Sequence, residues 1–212
     1  MNYYTNRGGG FLASIPPVTK FILIANVALY IVNYLTKGLL FAYMGLYSFD
    51  AHYNAVQTFK SYQLITHLFA HGSIGHIFFN MFGLYLFGRV LENAIGSQRF
   101  FILYFASGLG AAFLQLLVYH LQGEPAIMIG ASGAIFGILA GFAVMFPNVE
   151  LMLIFLPVPI KAKYFVPIYA LIELISGVAG FKFDNIAHFA HLGGAIVGFI
   201  LIMLWKNKYQ RY

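Results

Sequence analysis

Two residues in this chain could together form a nucleophile and its base. Ser132 lies among small residues in the sequence GASGAIFG (130–137), and His191 opens another apolar run. A serine hydroxyl becomes an effective nucleophile when a neighbouring imidazole removes its proton. If both residues lie at the ends of membrane helices, they predict cleavage of a peptide bond below the membrane surface. That reaction needs water and an oxyanion site within the protein.

The composition indicates a polytopic membrane protein. Of the 212 residues, 61% are hydrophobic and 8% are charged, which is too little polar material to cover a soluble globule. The 12 Lys and Arg outnumber the 6 Asp and Glu, an excess that in membrane proteins records orientation and anionic headgroups. We therefore predict the lipid bilayer as a partner, and no nucleic acid. The absence of cysteine excludes disulfides and thiolate nucleophiles.

Six apolar runs approach the roughly 20 residues needed to span a bilayer and predict an all-α membrane helical bundle. The fourth run is short, about 24 Å at 1.5 Å per residue, so Ser132 at its start should lie inside the membrane. We expect one membrane domain over 18–205 between short tails, 1–17 and 206–212, with the first run retained rather than cleaved. The runs are approximately 18–36, 73–92, 98–120, 131–147, 163–180 and 187–205.

The basic residues predict that both termini are cytoplasmic, as expected in a cell (inner) membrane. In that orientation three basic residues lie outside, Lys37, Lys60 and Lys182, and the other nine lie inside, a positive-inside bias. The second, fourth and sixth runs then all begin at the outer face. Their first turns carry the candidate polar residues, namely His76, Asn80, Ser132 and His191.

Three separated motifs carry these polar residues. They are HIFFN (76–80), GASG (130–133) and AHLGG followed by a further glycine (190–198). In this order they resemble the helix-two, GxSG and AHxxG motifs of the rhomboid intramembrane serine proteases, and the resemblance covers nearly all of the hydrophobic chain from about residue 60 onward.

The resemblance implies an intramembrane serine endopeptidase that cleaves transmembrane segments of other proteins near the outer face. It implies that Ser132 is the nucleophile and His191 the general base, with the oxyanion bound by His76, Asn80 and the backbone around Ser132 and Gly133. The residues support this independently. His76 and Asn80 share one face of a helix, and the first amides of a helix beginning at Ser132 are unpaired.

Close packing of the fourth and sixth helices is needed to bring the serine and the histidine together. Gly133, Gly137 and Gly141 form a four-residue stripe on one helix, and Gly194 and Gly198 form another, which predicts their contact. Phe136 stands where some members of the family have a tyrosine under the histidine ring, and its ring can still stack on His191.

Each motif also has other interpretations. The glycines could serve packing alone, and His76 and Asn80 could make only interhelical hydrogen bonds. A metal transporter or metalloenzyme is a second class, because His67, His71, His76, His188 and His191 should gather near the outer face. Without an HExxH glutamate or an acidic pair we predict no metal and no cofactor. A non-proteolytic scaffold is a third class, and retention of Ser132 and His191 argues against it.

Two acidic residues and one further histidine lie within the predicted membrane helices. Glu92 matches a glutamate near the inner end of the family's second helix, for which we expect a structural role. Glu173 should face a wet cavity or a partner, because an intramembrane carboxyl group is costly, but its role stays open. His188 lies one helical turn before His191, and we expect the deeper His191 to be the base.

Overall fold

The computed structural model of the protein describes residues 11–51, 54, 56–123, 125–153, 156–179 and 187–206. Helices dominate these residues, which confirms the predicted all-α class. Most of the two predicted tails, residues 1–10 and 207–212, lies outside the described residues. Four of the basic residues that predict the orientation lie outside as well, namely Arg7, Lys182, Lys208 and Arg211.

Nine α-helices and four short strands make up the described fold. The helices are α1 (Pro17–Leu35), α2 (Leu39–Met44), α3 (Gln63–Thr66), α4 (Ile74–Gly83), α5 (Arg89–Ile95), α6 (Ser97–Gln122), α7 (Ser132–Met145), α8 (Ala162–Ala179) and α9 (His188–Lys206). The strands are β1 (Leu46–Tyr47), β2 (Ile127–Met128), β3 (Glu150–Leu153) and β4 (Leu156–Lys161). They form two antiparallel pairs, β1 with β2 and β3 with β4.

Five helical segments in the described part of the chain are long and apolar enough to cross a membrane. They are α1, the continuous segment 74–95, α6, α8 and α9. A π-helical turn, Leu84–Gly88, joins α4 to α5 within the second of these. The remaining predicted span, the fourth along the chain, is α7, whose 14 residues extend about 21 Å at 1.5 Å per residue. The chain is therefore an integral membrane protein with the six predicted helices, each end within three residues of its prediction.

Helix α7 occupies the centre of the bundle. Every residue from 133 to 142 is buried, whereas α1 and α8 turn large apolar side chains outward, such as Phe21 and Val178. Outward apolar side chains suit contact with lipid. A helix enclosed on all sides must be apolar all round and narrow where its neighbours approach. The glycines and alanines of α7 meet that requirement.

Glycines set the distance between α7 and α9. A Cβ atom on Gly194 would overlap the backbone of Gly133, and one on Gly198 would overlap the backbone of Gly137. The helices therefore touch backbone to backbone along the two predicted stripes. Helix α6 joins this contact, since a Cβ atom on Gly133 would meet the side chain of Ala111.

Glu92 ties three elements together at the end of the bundle opposite Ser132. Its carboxylate accepts hydrogen bonds from the Val18 and Thr19 backbone N–H groups at 3.0 and 2.7 Å, and from the Thr19 hydroxyl at 2.7 Å. The Ser97 hydroxyl donates a further bond at 2.7 Å. A carboxylate at the first turn of α1 also complements the helix dipole. The contacts agree with the structural role expected for Glu92.

The segment between α1 and α4 covers the end of the bundle where Ser132 lies. Strand β1 pairs with β2 of the loop that precedes Ser132, and the Ser48 backbone N–H donates to the Ala126 carbonyl at 2.9 Å. Gln63, which is fully buried, accepts from the Lys60 N–H at 3.0 Å and donates to the Thr58 carbonyl at 3.1 Å. These bonds satisfy backbone polar groups of both segments, which lipid could not do.

The hairpin of β3 and β4 follows the other end of α7. The hairpin is not predicted from the sequence, because its residues show no strong alternation of apolar and polar side chains. It connects α7 to α8 at the end remote from Ser132, so it takes no part in the site described below.

Candidate active site

Ser132 and His191 are brought together by the contact of α7 and α9. The Ser132 Oγ atom lies 2.8 Å from His191 Nε2, a hydrogen-bond distance. Ser132 is half-buried and His191 is buried. Because imidazole Nε2 can accept the hydroxyl proton at this distance, the geometry suits a nucleophile and a general base.

The start of α7 fixes the position of the serine. Gly130 adopts a positive φ of 107°, a conformation that favours glycine, and its N–H donates to the His67 carbonyl at 2.9 Å. Helix α7 begins two residues later, and its first helical bond joins the Ile135 N–H to the Ala131 carbonyl at 3.0 Å. The amides of Ser132 and Gly133 precede that bond, so they lie in the unpaired first turn. Ala131, at the N-cap, supplies no side-chain bond to them.

Phe136 and Glu173 hold the ring of His191 from two directions. The Phe136 ring stacks on the imidazole with centroids 4.3 Å apart and an interplanar angle of 7°. Glu173 Oε2 lies 2.8 Å from His191 Nδ1. The same carboxylate oxygen lies 2.6 Å from the Nδ1 atom of His188. Glu173 is thus the partner of both histidines of the sixth membrane helix.

The contact of Glu173 with His191 is the feature of the site that the sequence analysis missed. The sequence identifies Glu173 as a costly intramembrane carboxyl group but does not indicate its partner. The spacing of the two histidines could have indicated this contact. His188 and His191 are three residues apart, so they share a face of α9 on which one carboxylate can reach both. That face is the one turned toward α8.

The two candidate side-chain donors of an oxyanion site converge near Gly130. Ser73 caps α4 by accepting from the His76 N–H at 3.1 Å, and His76 lies one helical turn before Asn80. A Cβ atom on Gly130 would overlap the His76 imidazole and would lie 3.7 Å from Asn80 Nδ2. Asn80 Nδ2 donates to the His76 carbonyl at 3.0 Å. Because a primary amide has two N–H donors, this bond leaves one donor for a bound oxygen.

An open cavity of about 790 Å³ joins these groups. Ser132, His191, His76 and Asn80 all line it. Apolar walls from Phe79, Ile129 and Tyr169, among others, complete the lining. A cavity of this size has room for an extended peptide segment and for water.

Burial keeps two histidines near the candidate site, His67 and His71, neutral at neutral pH. Burial lowers the pKa of His67 to about 4. Burial, together with the nearby charge of His76, lowers the pKa of His71 to about 3. His67 Nδ1 lies 2.8 Å from the Gln63 carbonyl oxygen and donates to it, so the single N–H group of the neutral imidazole is used in this bond.

The five histidines proposed for a metal site do not form one cluster. In the part of the chain that the structure describes, the potential ligands that lie together are Glu173, His188 and His191, with their atoms within 4.8 Å of one another. The separations of 2.6 and 2.8 Å between carboxylate and imidazoles are those of hydrogen bonds. Two Nδ1–H groups donating to one oxygen would have to give up their protons and move apart to admit a metal.

Comparison with known proteins identifies the family. The family model described as Rhomboid domain matches residues 58–208, and the chain therefore belongs to the rhomboid family, as the motifs predicted. The presenilin-associated rhomboid-like protein, mitochondrial, of Rattus norvegicus is 32% identical over 146 residues, 66% of this chain and 38% of its own length.

Two further relatives also carry rhomboid names. Rhomboid-like protein 11, chloroplastic, of Arabidopsis thaliana is 29% identical over 177 residues, 76% of this chain and 61% of its own length. Rhomboid protein 1, mitochondrial, of Saccharomyces cerevisiae is 32% identical over 138 residues, 64% of this chain and 39% of its own length. The match thus spans less than two thirds of each of these relatives.

Proposed function

We propose that the protein is an intramembrane serine endopeptidase that cuts transmembrane segments of other membrane proteins. The observation that carries this proposal is the 2.8 Å approach of Ser132 Oγ to His191 Nε2 in a cavity that also contains His76 and Asn80. Family membership supports the same activity, because rhomboid proteins act on membrane proteins within the bilayer.

The reaction follows from the arrangement of these groups. Ser132 Oγ attacks the carbonyl carbon of the substrate while its proton passes to His191 Nε2. The tetrahedral intermediate places its negative oxygen near the amides of the first turn of α7 and the side chains of His76 and Asn80. The imidazolium then gives its proton to the leaving amine as the C–N bond breaks. A water from the cavity, activated by the same imidazole, hydrolyses the acyl-enzyme.

We further propose the orientation and the site of cleavage. With both termini on the cytoplasmic side of a cell membrane, Ser132 lies below the outer face, so substrates are cut near their outer end. Small or helix-weakening residues favour such cleavage, because the peptide bond of an intact helix is shielded from attack. No metal or cofactor is part of this mechanism.

The direct test is cleavage by the reconstituted protein. Proteoliposomes that contain the protein and a single-span substrate should release a product, and Ser132→Ala and His191→Ala should abolish it. A fluorophosphonate should label wild-type protein at Ser132. A folded protein that binds the substrate but neither cleaves it nor reacts with the reagent would instead be a non-proteolytic scaffold.

A further inference from the structure

Glu173 is a buried carboxyl group on a membrane-spanning helix, and this position demands an explanation. Its residue is 5% exposed and lies in α8, one of the five spans. An ionisable side chain at such a depth is costly and is retained where it pairs with other polar groups. Both partners of Glu173 lie on α9, and one of them is the candidate base.

The hydrogen bonds define the tautomer of His191. A neutral imidazole carries one N–H group, and a carboxylate can only accept. With Glu173 Oε2 at 2.8 Å, the proton of His191 lies on Nδ1. The Nε2 atom is then free to accept from the Ser132 hydroxyl. This is the tautomer that a general base acting through Nε2 requires.

The charge of Glu173 is equally well placed. When His191 takes the proton of Ser132, it becomes an imidazolium, and a carboxylate 2.8 Å from its other nitrogen stabilises that cation. The proton on Nδ1 stays on the imidazole throughout the reaction. His188 Nδ1 lies 2.6 Å from the same oxygen, which gives the buried carboxylate a second hydrogen-bond donor.

From this geometry we infer that Glu173 is a positioning residue, the third member of a Ser132–His191–Glu173 unit that orients the base and stabilises its protonated form. The inference rests on the proposed protease function and extends the dyad predicted from the sequence. His188 donates to the same carboxylate oxygen and supports its position.

Glu173→Gln separates this role from simple attachment of α8 to α9. Glutamine has the same shape, and its carbonyl oxygen can still accept from both imidazoles, but it carries no charge. We expect a fall of about 10²-fold in kcat, with KM changed less than about threefold because Glu173 does not line the cavity that contains Ser132. Glu173→Leu should lose at least as much, and Glu173→Asp should restore part of the rate. A wild-type kcat in folded Glu173→Gln would overturn the inference.

His188→Ala is the matched comparison, because it removes the shorter of the two bonds between α8 and α9 while leaving His191 with its carboxylate. We expect a smaller loss of kcat than with Glu173→Gln. If His188→Ala and Glu173→Leu lose equal activity in step with equal falls in melting temperature, Glu173 only attaches one helix to the other.

A measurement without substrate keeps this test independent of the proposed function. In ¹⁵N-histidine-labelled protein in micelles, with the His191 signals assigned by their loss in His191→Ala, wild type should show a protonated Nδ1 and an unprotonated Nε2. Glu173→Leu should shift His191 toward the other tautomer. An unchanged tautomer would refute the positioning role, whereas absence of cleavage and of Ser132 labelling in wild type would refute the protease proposal alone.

Discussion

The backbone contact between α7 and α9 makes Gly194→Ala a sharp test of how the site is assembled. A Cβ atom on Gly194 would lie 2.7 Å from the carbonyl carbon of Gly133 and still closer to its oxygen. Carbon atoms in contact prefer about 3.5 Å or more, so the carbon contact alone requires the helices to separate locally by about 0.8 Å, and the closer oxygen requires more. Neither partner atom belongs to a flexible side chain, and the strain can be relieved only by movement of a helix.

The displacement falls on the candidate nucleophile and base. Gly133 follows Ser132 directly, and Gly194 lies one turn after His191. If the whole movement lay along the bond, the Oγ–Nε2 separation of 2.8 Å would rise to at least about 3.6 Å, which is no longer a hydrogen bond. Misplacement of this size commonly costs about 10²-fold in rate. Overpacking costs about 1–3 kcal/mol of stability, while replacing a helical glycine by alanine recovers up to about 1 kcal/mol.

The rate is therefore the more sensitive quantity. Cleavage of a single-span substrate in proteoliposomes should be about 10²-fold slower for Gly194→Ala, while its melting temperature in detergent falls only modestly. Ile200→Ala is the matched control on the same helix, because Ile200 is 50% exposed on the apolar surface of α9 and should leave the rate unchanged. Folded Gly194→Ala with the wild-type rate would refute the argument that backbone contact sets the distance between serine and histidine.

Three further predictions follow from the surroundings of the site. Asn80→Ala and His76→Ala should each slow cleavage by about 10²-fold without lowering the melting temperature, and unfolding of these variants would indicate interhelical bonding alone. A chelator should leave cleavage unchanged, whereas loss restored by zinc would favour the metalloenzyme. As the pH falls from 6.5 to 4, the free energy of unfolding should decrease by up to about 1.4 kcal/mol per pH unit for each of His67 and His71. In this pH range both imidazoles bind a proton in the unfolded state but stay neutral in the folded state. His67→Gln should reduce that slope in thermal unfolding followed by circular dichroism.

The spans could be predicted from the sequence because the membrane imposes a strong, local length requirement. Apolar runs near 20 residues give the five long helices and the shorter α7, with ends set by residues such as Pro17 at the start of α1 and Gly123, at φ 69°, after α6. The contact of α7 with α9 was also accessible, because glycines four residues apart mark a surface that permits backbone contact.

The pairing of β1 with β2 and the position of α8 could not be predicted in this way. The two-residue strands β1 and β2 are too short for a periodic signal, and they meet only because α6 returns the chain to the same end of the bundle. Most side chains of helix α8 are apolar, and many of them face outward. The sequence therefore identifies a lipid-facing helix, but it does not show which side of that helix faces α9. The partner of Glu173 depends on that rotation.

Glu173 links the cost of a buried charge to the precision of the site. In lipid a carboxylate must find donors within the protein, and the donors nearest to Glu173 are the two imidazoles of α9 at 2.6 and 2.8 Å. The need to satisfy the carboxylate therefore fixes the rotation of α8 against α9. The bond to His191 also orients the ring that contacts Ser132. The glycine contact of α7 with α9 sets the distance between Ser132 and His191, and the carboxylate of α8 sets the direction in which the His191 ring faces, so neither contact replaces the other.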